Sequence, residues 1–598
     1  MERALKIILI CCMVLAFESE MAFPQRVPVK KDSVYLYKRI ENFSTRSKFT
    51  KFVYGLVFKS YTVKQRKKKL IQKPYQGFEG KIIRRISIET LDPFGNSIAD
   101  SIVSQLSTLS KVGNKLHLKT QSLTIRNLLL IRPNQRFDSL LVKESERLVR
   151  SRQFVRDVSF FVKASSTRSD SVDIAIRVLD NWSMIPDIQV SPTSTTLNLT
   201  DQNFLGMGHE FLNGITGNIP DGMKTYRTNY YVPNIWNTYI STALHYETDF
   251  NNNFNKSLLI DRPFYSSFAK WAGGVYLKDL SSVRTPLNYR SNTQDYWVGQ
   301  SQQFIMGHSA EKRLTNFITA TRYLKIRYLD KPLEQYDPLH FFSNEDFFLT
   351  GIGLSNRTYV QDNYLFKYGI TEDVPIGKVI ALTGGYQIKN TIGRTFWGAR
   401  FSEGNYYPWG YLSSNIEYET FFRESVAEEG IFSADMKFFT TLFEVWKWKF
   451  RQFVKPEITI GINRFATDSL TLNSGFGIDG FRSNKLSGSS RFLLSLQTQA
   501  YAPWDFIGFR FGPFFTYTLG MLGTPADGFR KSDLYSQFGF GVLIKNENLI
   551  LNTFQFSFSF FPIMPGSGSN LLKMNSFKTT DFGFSNFEVG KPGARVFQ

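Results

Sequence analysis

Residues Thr553 to Phe561 read TFQFSFSFF. Phe554, Phe556, Phe558 and Phe560 occupy every second position, with Gln555, Ser557 and Ser559 between them. A strand turns successive side chains to opposite faces, so this stretch has one aromatic face and one small polar face. Such a strand suits a wall with lipid on one side and a wet lumen on the other, and it equally suits a soluble sandwich with one solvated face. Repetition decides between them. The same texture returns at Thr238 to Thr248 (TYISTALHYET), Thr315 to Arg327 (TNFITATRYLKIR), Val379 to Gln387, Tyr411 to Phe422 (YLSSNIEYETFF) and Phe509 to Leu519, between turns rich in Asn, Asp, Gly and Pro. From residue 204 onward a barrel of about 16 strands would use roughly 25 residues per strand and loop, whereas so many strands would overfill an ordinary sandwich. The expected fold is mostly β: an antiparallel transmembrane β-barrel over residues 197–598.

Composition agrees with that texture. The chain of 598 residues is 42% hydrophobic and 16% aromatic, with a mean hydropathy of -0.22, which excludes a disordered chain. No later stretch reaches the roughly 18 to 20 continuous apolar residues of a membrane helix, while alternating strands leave mean hydropathy near neutral. Both cysteines, Cys11 and Cys12, lie in the apolar run Ile7 to Phe17, which follows Arg3 and Lys6 and ends before Glu18. This is the outline of a secretory signal peptide, residues 1–22, cut after Ala22. A lipoprotein reading through Cys11 or Cys12 would need a small residue ahead of the modified cysteine, and a buried N-terminal helix would need a partner. The exported chain then has no cysteine, hence no disulfide, thiolate metal site or cysteine nucleophile.

The 72 Lys+Arg against 51 Asp+Glu give a formal net charge of +21, which invites a nucleic-acid reading until its distribution is examined. Residues 26–85 hold 18 basic and 3 acidic residues, +15, including the run Lys64, Arg66, Lys67, Lys68, Lys69. The basic excess therefore sits on an arm, residues 23–78, read as extended or partly disordered. Its natural contact is an anionic lipid headgroup or a protein partner, and a solvated tail is the plain alternative. No nucleic-acid partner is expected.

Residues 79–183 read as a compact α+β module. Lys81 to Leu91 alternates Ile82, Arg84, Ile86 and Ile88 on one face as a half-buried strand does. A helical segment, Leu123 to Ile131, stops at Arg132-Pro133-Asn134, and Asp138 or Ser139 can cap a second helix to Arg152. Two alternating strands follow, Val155 to Ala164 and Val172 to Trp182.

Motifs for chemistry are absent. Gly475 to Gly480 (GFGIDG) matches a dinucleotide fingerprint in form, but no helix opens at its glycines. His117, His209, His245, His308 and His340 stand singly, and no G-x-S-x-G elbow occurs. No catalytic residue, metal ligand or cofactor is expected.

In order, these features resemble the outer-membrane protein insertase superfamily, the BamA and TamA type of bacterial surface antigen. The β-α-α-β-β module resembles one POTRA domain. Asn203-Phe204-Leu205-Gly206-Met207-Gly208 resembles the opening of such a barrel, Phe538-Gly539-Phe540-Gly541 a late strand, and Phe582 to Val589 an aromatic last strand. Ile478, Asp479, Gly480 and Phe481 stand where the family carries its [V/I/L]-R-G-[F/Y] tetrapeptide, on a lumen-folded loop around residues 472–490. Asp479 replaces the family arginine, Arg482 lies two residues beyond the glycine, and Gln497, Gln499 and Thr518 replace expected charged positions. The resemblance implies a barrel in the bacterial outer membrane with its POTRA-like domain in the periplasm. It implies no covalent chemistry. Its partners would be outer-membrane lipid, unfolded outer-membrane or secreted polypeptides, and periplasmic or lipoprotein accessory subunits. The implied activity is polypeptide insertion, assembly or translocation, using POTRA client binding and a weak barrel seam. The alternative is a passive channel or structural barrel that retains the fold.

Overall fold

The computed structural model describes residues 75–94, 98, 114–115, 117–165, 170–190, 194–251, 253–283, 287–305, 307, 309–338, 340–465, 468–504, 509–546, 553–566, 571–595 and 597. The signal segment and the arm cluster Lys64, Arg66, Lys67, Lys68 and Lys69 lie outside the described residues.

The module is a three-stranded sheet with two helices: β1 (Ile82–Leu91), α1 (Ser122–Arg126), α2 (Ser139–Arg150), β2 (Val155–Ala164) and β3 (Ser171–Asp180). Its sheet order is β1-β3-β2, with β1 parallel and β2 antiparallel to the central β3. The β3 side chains Val172, Ile174, Ile176 and Val178 are buried, as their alternation predicts. Strand β1 departs from its pattern. A register shift between Ile83 and Arg85 swaps the face of its first residues, so Ile83 is fully buried with Ile86 and Ile88 packed beside it, and Ile82 is exposed. Helix α2 starts where Asp138 accepts from the amides of Leu140 (3.0 Å) and Leu141 (3.4 Å), satisfying donors the first turn leaves unpaired. Helix α1 ends at Arg126, short of the predicted Ile131, and the apolar Leu128, Leu129 and Ile131 still fill the core from turns.

Twenty-one strands follow in chain order, from β4 (Met184–Val190) to β24 (Leu572–Met574), in one antiparallel sheet whose order returns on itself so that β24 stands beside β4. The sheet starts at Met184 rather than at residue 197, and it holds more strands than the expected 16. Part of the excess is turn length: residues 390–391, 408–409 and 424–425 connect long strands with two-residue hairpins, so each crossing uses less chain than assumed. Part is fragmentation, since β17 (Val426–Thr440) and β18 (Phe443–Val445) both pair with β19 (Trp448–Ile462).

Alternation sorts the two faces of the wall. On β23 (Thr553–Phe560) Phe556, Phe558 and Phe560 are 43–48% exposed, while Ser557 and Ser559 are buried on the inner side. On β13 (Glu345–Asn363) Phe348 and Ile352 point outward and Phe347 and Leu349 inward. The outer face thus carries the aromatic and aliphatic band a bilayer requires, and no described helix is long and apolar enough to cross a membrane.

The module sits on the turns at one barrel end. The turn between β5 (Ser194–Phe204) and β6 (His209–Asn218) carries Gly206 at φ +73°, where a Cβ would meet the Lys119 carbonyl oxygen at 2.4 Å. Only glycine lets the two backbones approach so closely. The Gly206 carbonyl accepts from the Gln121 amide at 2.9 Å, and buried Asn203 donates to Thr120 Oγ1 at 2.9 Å. Tyr239 OH donates to the Leu128 carbonyl at 3.0 Å, and Arg150 pairs with Asp373 at 2.8 Å.

Candidate functional site

The features that distinguish this barrel from an empty cylinder lie in its lumen and at its seam. Every sheet neighbour from β4 to β17, and from β19 to β24, has a defined residue-pair register. The sheet closes with β24 beside β4, and this is the neighbour pair for which no residue-by-residue register is defined among the described residues. The reason lies in length. β24 has three residues, in register with Phe558, Ser559 and Phe560 of β23, and after Asn575, which takes φ +51° and makes a last bond from its amide to the Ser557 carbonyl, the chain leaves the sheet. A seven-residue β4 faces that remnant.

The loop after β19 enters the barrel from the end opposite the module. Its backbone folds on itself: the Ile478 amide donates to the Leu472 carbonyl (2.9 Å) and Phe481 to Ile478 (3.0 Å), while the Asn473 side chain bonds both the amide and the carbonyl of Ser483. Ile478 and Phe481 are fully buried among Leu472, Leu493, Tyr535, Phe561 and Met564. Gly480 lies at φ +78°, and a Cβ there would meet Ser576 Cβ at 2.7 Å. Lys573 donates to the Gly480 carbonyl, and Gln537 Nε2 to the Asp479 carbonyl at 2.9 Å. The tetrapeptide therefore rests on residues 561–576, the very hairpin that ends the sheet. Among the described residues Asp479 forms no ion pair. Its carboxyl faces a polar cavity of about 340 Å³ shared with Lys455, Gln497, Thr518, Lys578 and Asp581. Burial pushes that carboxyl up to about 6, and Asp581 adds to the rise. Arg482 is exposed, and its amide points at the Met564 sulfur.

The segment read as the last strand is not one. Residues 583–595 form no ladder; they cross the lumen along the inner wall. Gly583 at φ +62° and Pro592 interrupt an otherwise strand-like alternation, and the wall strands already exchange their backbone hydrogen bonds with one another. The segment is held by side chains instead. Gln555 Nε2 and Ser557 Oγ donate to the Phe577 carbonyl, and Thr579 Oγ1 donates to the Phe366 carbonyl at 3.1 Å. Phe582 packs on Phe366 and Phe453, and the hydroxyls of Ser585 and Ser413 lie 3.0 Å apart. Arg357 on β13 bonds Glu588 at 2.5 Å. Arg400 on β15 (Ile392–Tyr407) donates to the carbonyls of Asn586 (2.7 Å) and Glu588 (3.2 Å). Further along, Arg322 donates to the Pro592 carbonyl at 3.0 Å, Lys591 pairs with Asp295, and Arg595 pairs with Glu417 at 3.1 Å.

Glycines make room for these contacts. A Cβ on Gly404 would stand 2.4 Å from the Phe587 ring, one on Gly353 2.9 Å from Val589, and one on Gly461 2.6 Å from the Phe597 ring. Each of these three wall glycines is a notch filled by the segment. The lumen is accordingly less wet than expected. Phe587 and Val589 share an apolar cluster with Ala272, Ile318 and Val379, and Phe347, Phe396 and Phe421 form another.

No protein-family model matches the chain, and no curated protein matches it. The chain is similar to solved structures of BamA and CdiB. BamA from Haemophilus ducreyi lacking POTRA domains 1-3 is 12% identical, covering 93% of this chain and 94% of that one, with a TM-score of 0.30. CdiB from Acinetobacter baumannii is 10% identical over 92% of this chain and 98% of that one, TM-score 0.34. CdiB from Escherichia coli is 9% identical over the same shares, TM-score 0.37.

Proposed function

We propose that this chain is an outer-membrane barrel that assists the insertion, assembly or translocation of polypeptides, with its POTRA-like module in the periplasm and no covalent chemistry of its own. The seam carries this reading. A sheet edge in lipid is costly, because unpaired N–H and C=O groups find no water there, so a barrel that ends on a three-residue strand holds its weakest pairing at one defined place. An incoming strand can pair with an edge that its neighbour covers so briefly. The tetrapeptide Ile478 to Phe481 packs against the hairpin that forms that edge, so the loop supports the seam from inside. The module, docked on the turns at one mouth, stands where a client would arrive, and β1 is an outer strand of its sheet.

Clients would be unfolded outer-membrane or secreted polypeptides, and accessory subunits would dock on the module or the basic arm. Depletion in cells followed by quantitative proteomics of the envelope tests the reading. Loss of a subset of outer-membrane or surface proteins is the expected result, and an unchanged surface proteome overturns it.

A further inference from the structure

The inner wall opposite the seam is more than a lining. It offers a continuous series of seats to an extended chain: aromatic clefts at Phe366 and Phe453, the Ser413 hydroxyl, the Arg357 and Arg400 guanidiniums, the Asp295 carboxylate, and the notches at Gly404, Gly353 and Gly461. Several of these contacts go to main-chain carbonyls, of Asn586, Phe587, Glu588 and Pro592. A carbonyl is present in every residue, so this part of the wall reads extended backbone rather than one sequence. The notches and the Glu588 seat then favour an alternating aromatic chain with an acid at one place. The chain's own C-terminal segment meets both demands.

We infer that this wall is a binding track for an extended polypeptide, and that residues 577–595, with Phe597, are its resident occupant, displaced when a client segment enters. The inference goes beyond the seam reading, because it concerns the lumen and stands or falls whether or not the seam admits strands. The physical case for exchange is the kind of contact used. The segment donates nothing to a ladder, so it can leave without breaking any strand pairing of the barrel. Being tethered, it holds the track at an effective concentration of roughly millimolar, so only a client delivered locally competes. While seated it also fills the lumen and keeps small solutes from passing.

The intact chain and a truncated one test this. In planar bilayers, protein lacking residues 577–598 should conduct several-fold more than the intact protein. A synthetic peptide of residues 577–598 added in solution should return it to the intact level, and a urea-unfolded barrel polypeptide should compete with that peptide. Equal conductance with and without the segment, or a peptide that does not close the truncated barrel, overturns the inference. Should truncation prevent folding, the pair Ser413→Cys and Ser585→Cys carries the test, because the sequence beyond residue 12 has no other cysteine. Expected are a disulfide that forms on mild oxidation and, in that locked state, loss of photo-crosslinking between the wall and the unfolded polypeptide, restored by reductant. Failure of the disulfide to form, or equal crosslinking in locked and reduced protein, overturns it.

Discussion

The loop over residues 470–489 and the C-terminal segment over 575–595 both lie inside the barrel, and they are held by different forces. The loop binds through its own folded backbone and a closed apolar cluster around Ile478 and Phe481. The segment is extended: ion pairs and main-chain contacts supplied by wall side chains alternate along it with Phe577, Phe582, Phe587 and Val589, which are buried in three separate wall clusters rather than in one closed one. Removing apolar contacts leaves a cavity with no compensation, whereas charged and hydrogen-bonded contacts are exchanged against water or another chain at small net cost. The difference assigns the loop to the scaffold of the seam and the segment to a removable fitting.

The largest effect is expected from the loop. Ile478→Ala combined with Phe481→Ala deletes two fully buried side chains, at about 3–5 kcal/mol for the aromatic ring alone. Heat-modifiable mobility in detergent gels should then be lost at a markedly lower temperature than in the parent. An unchanged transition would mean that the loop is not a scaffold. Arg357→Ala comes next. It leaves the half-buried Glu588 without its guanidinium and the Phe264 carbonyl without a donor, a loss of about 3 kcal/mol of the kind measured when one partner of a buried pair is removed. This loss should fall on the segment, seen as faster proteolysis after residue 577, with the barrel transition shifted far less. If both shift together, the two regions are one cooperative unit and the contrast fails.

Gly461→Val should act more weakly. The atoms nearest its Cβ would be those of the Phe597 ring and the flexible Arg464 side chain, so the cost is that of a modest overpacking, about 1–3 kcal/mol, relieved when the end of the segment moves off the wall. Increased labelling of a cysteine placed at position 597 reports that movement, and unchanged labelling would mean that the notch is not a seat.

What the sequence made legible follows from period. Ser241–Thr248, Thr315–Asp330, Gly410–Arg423, Phe509–Gly523 and Thr553–Phe560 are strands where alternation placed them, because a wall between two environments writes its period of two directly into the residues. The Asp138 cap was legible for the same local reason. Three things were not. The bulge at Ile83 moves a face without changing composition. The two-residue hairpins raised the strand number beyond a count based on average spacing. Most of all, Phe582 to Val589 alternates like a strand, yet its alternation answers to notches on a wall far away in sequence. Gly583, Pro592 and Gly593 were the available signals, since a terminal barrel strand in lipid has little use for a proline or for paired breaks. Glycines at inward positions such as Gly353 and Gly404 were a second, weaker one.

The smallest effect is expected from Arg482→Ala, and it sharpens the comparison because it asks whether the loop has any of the segment's chemistry. Were Arg482 the stand-in for the family arginine, its removal would free the loop as Arg357→Ala frees the segment. The structure puts its side chain on an exposed surface, with Lys573 nearby as a like charge. The loop tip is meanwhile secured by Phe481 below it and by Lys573 and Gln537 on its carbonyls. An exposed substitution of this kind shifts stability by about 0.5 kcal/mol or less. Detergent-gel transitions of Arg482→Ala and parent should coincide, while Lys573→Ala, which removes a donor to the Gly480 carbonyl, should lower the transition measurably. A large loss with Arg482→Ala would show that the loop, like the segment, is held by charge.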